Sequence, residues 1–189
     1  MPLPQLKVRT YPDPCLRRKS QKVKAVGPGE RLLIQSMITA MYAHKGVGLA
    51  APQVGINQQI FVADIGQGPM AVINPQVVEQ HGSTVLEEGC LSIPGVTVKI
   101  KRPKKILVKY MDEENTIVQR EFSDLMARVF LHESDHLFGK LIVDYVGLRQ
   151  KKEVQKHLKM LEDIQKNPQE SSSQNISNSK KASEKNANA

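Results

Sequence analysis

The chain has 189 residues, enough for one domain with a single sizeable core. Its hydrophobic fraction of 40% and charged fraction of 24% are typical of a globular protein, and its apolar runs fall well short of the roughly 20 residues that cross a bilayer, which excludes a membrane-spanning protein. The first residues, MPLPQLKVRTYPDPCLRR, contain neither an apolar signal-peptide segment nor a small-residue cleavage site, so we expect a cytoplasmic protein. No transit peptide is seen, although an organellar origin stays open.

The net charge of +8 is concentrated in two segments. Six basic residues lie between positions 99 and 109, and five more lie between positions 149 and 159. Such clusters usually form a solvated surface, but they can also attract a polyanion such as RNA in a salt-dependent manner. We expect no membrane partner and no DNA partner.

Apolar periodicity predicts a helix and several strands in the first hundred residues. Glu30–His44 places its large apolar residues at i, i+1, i+4, i+5 and i+8, which predicts a helix with one buried face. The short apolar runs 60–62 and 71–73 end at Gly or Pro and predict strands. Val96, Val98 and Ile100 alternate with polar residues, which predicts a half-buried strand.

The second half of the chain predicts a hairpin and two helices. Residues 105–111 and 116–122 flank a four-residue loop and predict the hairpin. A helix should span Asp124–Phe138, with Ser123 or Asp124 as the N-cap and Gly139 just beyond its C-terminus. An amphipathic helix should follow from about residue 148 to residue 165, with its apolar face formed by Val154, Leu158 and Leu161.

These elements predict an α+β fold in which short, mostly antiparallel strands surround the helix 124–138 and an amphipathic helix lies at the C-terminus. From Asn167 the chain is rich in Ser, Asn and Lys and cannot bury enough apolar surface to order itself. We therefore expect one domain over residues 1–166 and a disordered tail over residues 167–189.

Two histidines on the predicted helix form half of a metal site. His132 and His136 lie four residues apart, on the same face as Leu125 and Val129, so their imidazoles can reach one ion. Glu133 lies about 100° around the helix from His132. From there it can act as a general base on water at the metal without being a ligand.

The third ligand has several candidates. In HExxH metalloproteases it comes from downstream, where Asp144, Glu153, Glu162 and Asp163 stand, but the last three lie in or beside the basic amphipathic helix. Upstream, Cys90 follows Gly89 in a predicted loop. A thiolate and two imidazoles make a tetrahedral site with one open position, as catalytic metals require. Cys15 has no histidine nearby and fits a packing or surface role; we expect both cysteines to be thiols.

The stretch GVGLAAPQ ends at Gln53 and combines small residues, which allow a ligand to approach the backbone closely, with one side-chain amide. In this order, GVGLAAPQ, EGCLS and HESDH resemble the three motifs of the peptide deformylase family. The likeness extends from about Leu6 to the final helix, and every position that carries chemistry in the family is matched.

The resemblance implies that Cys90, His132 and His136 bind Fe²⁺, with Zn²⁺, Ni²⁺ or Co²⁺ possible in the same site. It implies hydrolysis of the N-formyl group from the N-terminal methionine of newly made polypeptides, with release of formate. Glu133 would transfer the proton, and the Gln53 side chain and the Leu91 N–H would stabilise the developing oxyanion.

The resemblance also suggests how the peptide binds. Gly48 would offer backbone hydrogen bonds to an extended peptide, and Val47, Leu125 and Val129 would line a methionine pocket, although plain core packing explains these three equally well.

A contact between the basic C-terminal helix and the ribosome is a further expectation. A hypothetical Glu88–Arg102 pair would hold the Cys90 loop.

Three other functions compete with this interpretation. A zinc endopeptidase would leave Cys90 and Gln53 without a role. An RNA-binding or ribosome-binding module with a structural metal would leave Glu133 without one. A nucleophilic Cys90 acting with His132 would also leave Glu133 without a purpose.

Overall fold

The computed structural model describes residues 3–148 and 150–166; the predicted tail over residues 167–189 lies outside them. Within the described residues the helices and strands are α1 (Pro28–Ala43), β1 (Gly48–Ala50), β2 (Ile60–Ala63), β3 (Met70–His81), β4 (Thr84–Cys90), β5 (Ile93–Arg102), β6 (Lys105–Met111), β7 (Ile117–Ser123), α2 (Asp124–Leu137) and α3 (Lys151–Lys166). Short 3-10 helices span Pro14–Arg17, Ala51–Val54 and Ile142–Tyr145. The predicted α+β class is confirmed.

The chain divides into one compact unit that ends at Gly147 and a second that begins at Leu148 and contains α3. The single domain expected over residues 1–166 therefore stays a prediction. Among the described residues, no helix has both the length and the apolar character needed to cross a membrane.

The strands of the first unit form two antiparallel sheets. Five of them are hydrogen-bonded in the order β1-β2-β3-β6-β7, whereas β4 and β5 pair only with each other. The predicted alternation in β5 is confirmed, because Val96, Val98 and Ile100 are buried and the residues between them are exposed. The predicted hairpin is also confirmed as β6 and β7.

Strand β2 explains how α1 and α2 are placed. Its residues alternate between two cores: Ile60 and Val62 pack with apolar residues of α1, whereas Phe61 packs with α2. The rings of Phe61 and Phe130 meet edge to face with centroids 5.2 Å apart. Because both faces of β2 are covered, the strand reads as a continuous apolar run without alternation.

Strand β3 is much longer than the predicted run 71–73. Asn74 has a φ of 52°, and the pairing of β3 with β6 shifts register between Ile73 and Gln76. The Asn74 side chain accepts a hydrogen bond from the Val23 N–H (2.9 Å) and donates one to its carbonyl (2.7 Å). The strand thus continues to His81 through a bulge at the Asn-Pro pair that ended the prediction.

Helix α2 begins and ends close to the predicted residues. The helix follows Ser123, so its first residue is predicted correctly. The Ser123 side chain makes no capping hydrogen bond, however, so the expected N-cap interaction is absent. Gly139 has a φ of 71°, and a Cβ there would lie 2.7 Å from the Arg17 carbonyl carbon. Only glycine meets both requirements, which makes Gly139 the expected stop.

Candidate metal centre and active site

Cys90, His132 and His136 come together as predicted. One ligand atom from each lies within 4.8 Å of the others, and the Cys90 Sγ is 3.3 Å from the His136 Nε2. The two imidazole centroids are 5.1 Å apart. Sulfur and nitrogen donors at these separations suit a tetrahedral divalent ion, so the residues present fit a metal.

The β4–β5 hairpin brings the thiol to α2. The strands pair regularly from Thr84 to Gly89, after which the register shifts and Cys90 pairs with Ile93 across a two-residue turn. A shift of this kind re-aims the side chain that follows it. Ser92 in the turn and Ile93 after it are fully buried, so the turn is held by packing.

Glu88 orients His132. Its Oε2 lies 3.0 Å from the His132 Nδ1, and Arg102 donates to both carboxylate oxygens, at 2.6 Å and 2.9 Å. Burial alone would raise the pKa of Glu88, but the hydrogen bonds with His132 and Arg102 lower that pKa to about 2. A carboxylate that accepts from Nδ1–H leaves Nε2 free to bind a metal. The predicted Glu88–Arg102 pair is therefore confirmed.

Arg102 also connects the hairpin to α2. Its Nη1 donates to the Asp135 Oδ2 (2.9 Å), which also accepts from the Tyr145 hydroxyl (2.7 Å). Arg102 is only 4% exposed. One of the six basic residues between positions 99 and 109 thus belongs to the interior, and the five lysines of that segment are exposed.

Glu133 is buried next to His132, one of the three candidate metal ligands. It is 4% exposed, and its Oε2 has no hydrogen-bond partner among the described residues. Burial raises the pKa of Glu133 to about 7. A carboxyl group with such a pKa can both accept and return a proton near neutral pH.

Gln53 is held with its amide nitrogen toward the thiol. Its Oε1 accepts from the Ala50 N–H (2.7 Å), which fixes the amide orientation. Its Nε2 lies 3.2 Å from the Ser92 Oγ and 3.6 Å from the Cys90 Sγ. The side chain is 2% exposed, so the donor is directed without competition from bulk solvent.

A cavity of about 600 Å³ opens at this site. Nine of the residues predicted for the site line it, namely Val47, Gly48, Gln53, Cys90, Leu91, Leu125, Val129, His132 and Glu133. Val47 and Leu125 are half exposed, as a pocket wall requires, whereas Val129 is buried and also belongs to the α2 core. Val129 therefore lines the cavity and also packs in the core, as both alternatives predicted.

The alternative third ligand Asp144 is engaged elsewhere, because it accepts hydrogen bonds from Arg17 (2.6 Å) and from the Leu141 N–H (2.8 Å).

Three further residues that contact the site residues were not predicted from the sequence, namely Ser92, Tyr145 and Arg128. A signal existed for two of them: Ser92 is the last residue of the EGCLS motif, and Arg128 is a charged residue on the predicted apolar face of α2 between Leu125 and His132.

Comparisons with known proteins agree with this geometry. The polypeptide deformylase family model matches residues 5–152. A peptide deformylase of Thermotoga sp. is 47% identical over 142 residues, which cover 75% of this chain and 87% of the relative. The crystal structure of the Thermotoga maritima peptide deformylase superposes with a TM-score of 0.74 at 46% identity, covering 76% of this chain and 98% of that one. A plant peptide deformylase has a TM-score of 0.82 at 31% identity, covering 87% and 92%.

Proposed function

Because the chain belongs to the peptide deformylase family and removes the N-formyl group of nascent polypeptides, we propose that Cys90, His132 and His136 hold its catalytic metal, with Fe²⁺ as the native ion. The convergence of one thiol and two imidazoles, of which Cys90 and His132 line the cavity, carries this proposal. The same donors accept Zn²⁺, Ni²⁺ or Co²⁺, so supply in the cell selects among them. When bound, the metal supplies Lewis acidity that lowers the pKa of water and polarises the formyl oxygen.

Glu133 is the proton carrier. Its carboxylate takes the proton of the attacking water and delivers it to the amine nitrogen that leaves the formyl carbon. Burial and the lack of a hydrogen-bond partner for Oε2 among the described residues support this role, because a side chain held in a surface ion pair could not serve the cavity.

Gln53 and Leu91 stabilise the oxyanion. The Gln53 Nε2 and the Leu91 backbone N–H donate to the formyl oxygen as negative charge develops on it. The orientation of the Gln53 amide by Ala50 supports the role of this side chain, and Leu91 lines the cavity next to Cys90.

Replacing Gln53 with methionine should therefore lower kcat by about 10²- to 10³-fold, since one lost oxyanion donor costs about 2.7–4 kcal/mol of barrier. The KM and the bound metal should change little. Gln35→Met, at an exposed position of α1, is the matched control. A kcat within threefold of the wild type, measured with metal bound, would remove Gln53 from the reaction.

The peptide binds along β1. Gly48 offers its backbone to an extended peptide, and Val47, Leu125 and Val129 receive the methionine side chain. Their positions on the cavity wall support this arrangement. The ratio of kcat/KM for formyl-Met-Ala to that for formyl-Ala-Ala measures the contribution of the pocket, and a ratio near one would contradict it.

Formate release from formyl-Met-Ala by anaerobically purified protein, with iron measured on the same sample, tests the proposed metal centre. Cys90→Ser should lose most of its iron and its activity, whereas Cys15→Ser should keep both, because Cys15 does not belong to the group of side chains that could hold a metal. An iron-replete Cys90→Ser protein would support a downstream ligand, as in an endopeptidase.

The substrate emerges from the ribosome, so we place the enzyme in the cytoplasm and assign a ribosome contact to the basic residues of α3. Positive charge favours binding to ribosomal RNA. Lys156→Glu with Lys159→Glu should reduce co-sedimentation with ribosomes, and Lys99→Glu with Lys101→Glu is the control pair. If both double variants co-sediment with ribosomes to the same extent as the wild type, this assignment is wrong. Arg149, which is also basic, lies outside the described residues.

A further inference from the structure

Arg128 lines the active-site cavity but has no part in the chemistry above. It lies on α2 one turn from both Leu125 and His132, and it is only 5% exposed. An arginine buried to this extent requires hydrogen-bonding partners, because burying an unpaired charge is costly. Its partners therefore indicate what the side chain does.

The guanidinium of Arg128 contacts both strands of the β4–β5 hairpin. Its Nη1 donates to the Glu88 Oε1 (2.5 Å) and to the Ile100 carbonyl (3.1 Å), and its Nη2 donates to the Thr84 carbonyl (3.0 Å). Glu88 and Thr84 belong to β4 and Ile100 to β5. One side chain of the histidine-bearing helix thus holds the cysteine-bearing hairpin at three points.

The hairpin depends on such contacts. Its two strands pair with each other and not with the five-stranded sheet, so no ladder of backbone hydrogen bonds fixes Cys90 relative to α2. The metal ligands come from these two separate elements. One backbone hydrogen bond, from the Tyr11 N–H to the Ser92 carbonyl (2.8 Å), holds the turn beside Cys90, and the separation of the thiol from the imidazoles depends in addition on side-chain contacts between the hairpin and α2.

We propose that Arg128 is a positioning residue that clamps the β4–β5 hairpin onto α2 and so preorganises the three metal ligands; this rests on the ligand set proposed above. Arg102 contributes differently, because it belongs to the hairpin and contacts α2 through a hydrogen bond to Asp135. Without Arg128, Glu88 still has Arg102 and His132 as partners, so its charge stays compensated and the fold should survive.

Dissociation of Co²⁺ tests the proposal. Wild type, Arg128→Met and Arg128→Lys are loaded with Co²⁺ alone, and the thiolate-to-cobalt absorption band is followed after addition of excess chelator. Loss of a group that orients metal ligands typically weakens metal binding about 10- to 100-fold. We expect release at least about tenfold faster in Arg128→Met and an intermediate rate in Arg128→Lys, which keeps the charge but not the fork of donors.

Arg120→Met, which removes an exposed arginine on β7, should release Co²⁺ at the wild-type rate. Release at the wild-type rate from both Arg128 variants would overturn the proposal, even if their melting temperatures fell, since a merely structural arginine would change stability alone. If Arg128→Met fails to fold, the rate of Arg128→Lys decides. Absence of the thiolate band in the wild type would instead refute the proposed ligand set.

Discussion

Glu133→Gln should strongly reduce formyl hydrolysis while the protein keeps its metal. Glutamine has nearly the same shape and fits the same buried position, but it cannot take a proton from water. General-base catalysis contributes about 10²- to 10⁴-fold, so kcat should fall by that amount while the KM stays nearly constant. Steady-state kinetics on formyl-Met-Ala and metal content per chain are the two measurements.

Glu121→Gln is the matched control. Glu121 lies on β7 and is 55% exposed in an ion pair with Lys105 (2.8 Å), so its neutralisation should leave kcat unchanged. Loss of metal from Glu133→Gln would contradict the proposed role, because Glu133 would then contribute to the metal site itself. Full activity would point instead to a different base in the cavity.

The same variant separates the deformylase reaction from a covalent mechanism with Cys90 as nucleophile. In that mechanism the thiolate attacks the formyl carbon and Glu133 has no necessary part, so Glu133→Gln would remain active. The structure favours the metal-dependent mechanism, since the Cys90 Sγ belongs with both His132 and His136 to a group of three donors that fits a metal.

The parts of the molecule that depend on local pattern could be predicted from the sequence. The histidine pair needs only the helical repeat, and the α2 stop needs only the conformational freedom of Gly139. The prediction of a Glu88–Arg102 pair rests on the acidic residue that flanks Cys90 in the sequence. The prediction of Cys90 as the third ligand rests on the open tetrahedral site that a thiolate forms with two imidazoles and on the resemblance of the three motifs, since no local rule brings that segment to α2.

Other features are set by tertiary pairing and leave little local signal. Strand β4 has no alternation, because Val85 and Leu86 are both about half exposed, so it was not predicted as a strand. The connection of Asp135 with Tyr145 joins α2 to a segment ten residues further along the chain. The clamp by Arg128 depends on where the hairpin docks, which the helix pattern alone does not contain.

Strand β1 shows how a glycine can serve the site without a special backbone conformation. Gly48 pairs with Ala63, is buried and lines the cavity. A Cβ built on Gly48 would lie 2.8 Å from both the Cγ and the Cδ of Glu133. The absence of a side chain at Gly48 therefore creates the space in which the Glu133 carboxylate lies.

Gly48→Ala should lower kcat by at least about 10²-fold, because the added methyl group displaces the Glu133 carboxylate and misplacement by about 1 Å can cost that much. Neither partner can yield easily, since β1 is fixed by its pairing with β2 and Glu133 is 4% exposed. Metal content should stay near that of the wild type, because the overlap is with Glu133 and not with a ligand. Gly29→Ala is the control, since a Cβ there meets no atom within 4 Å. A metal-loaded Gly48→Ala enzyme with wild-type kcat would mean that Glu133 works from a position that β1 does not constrain.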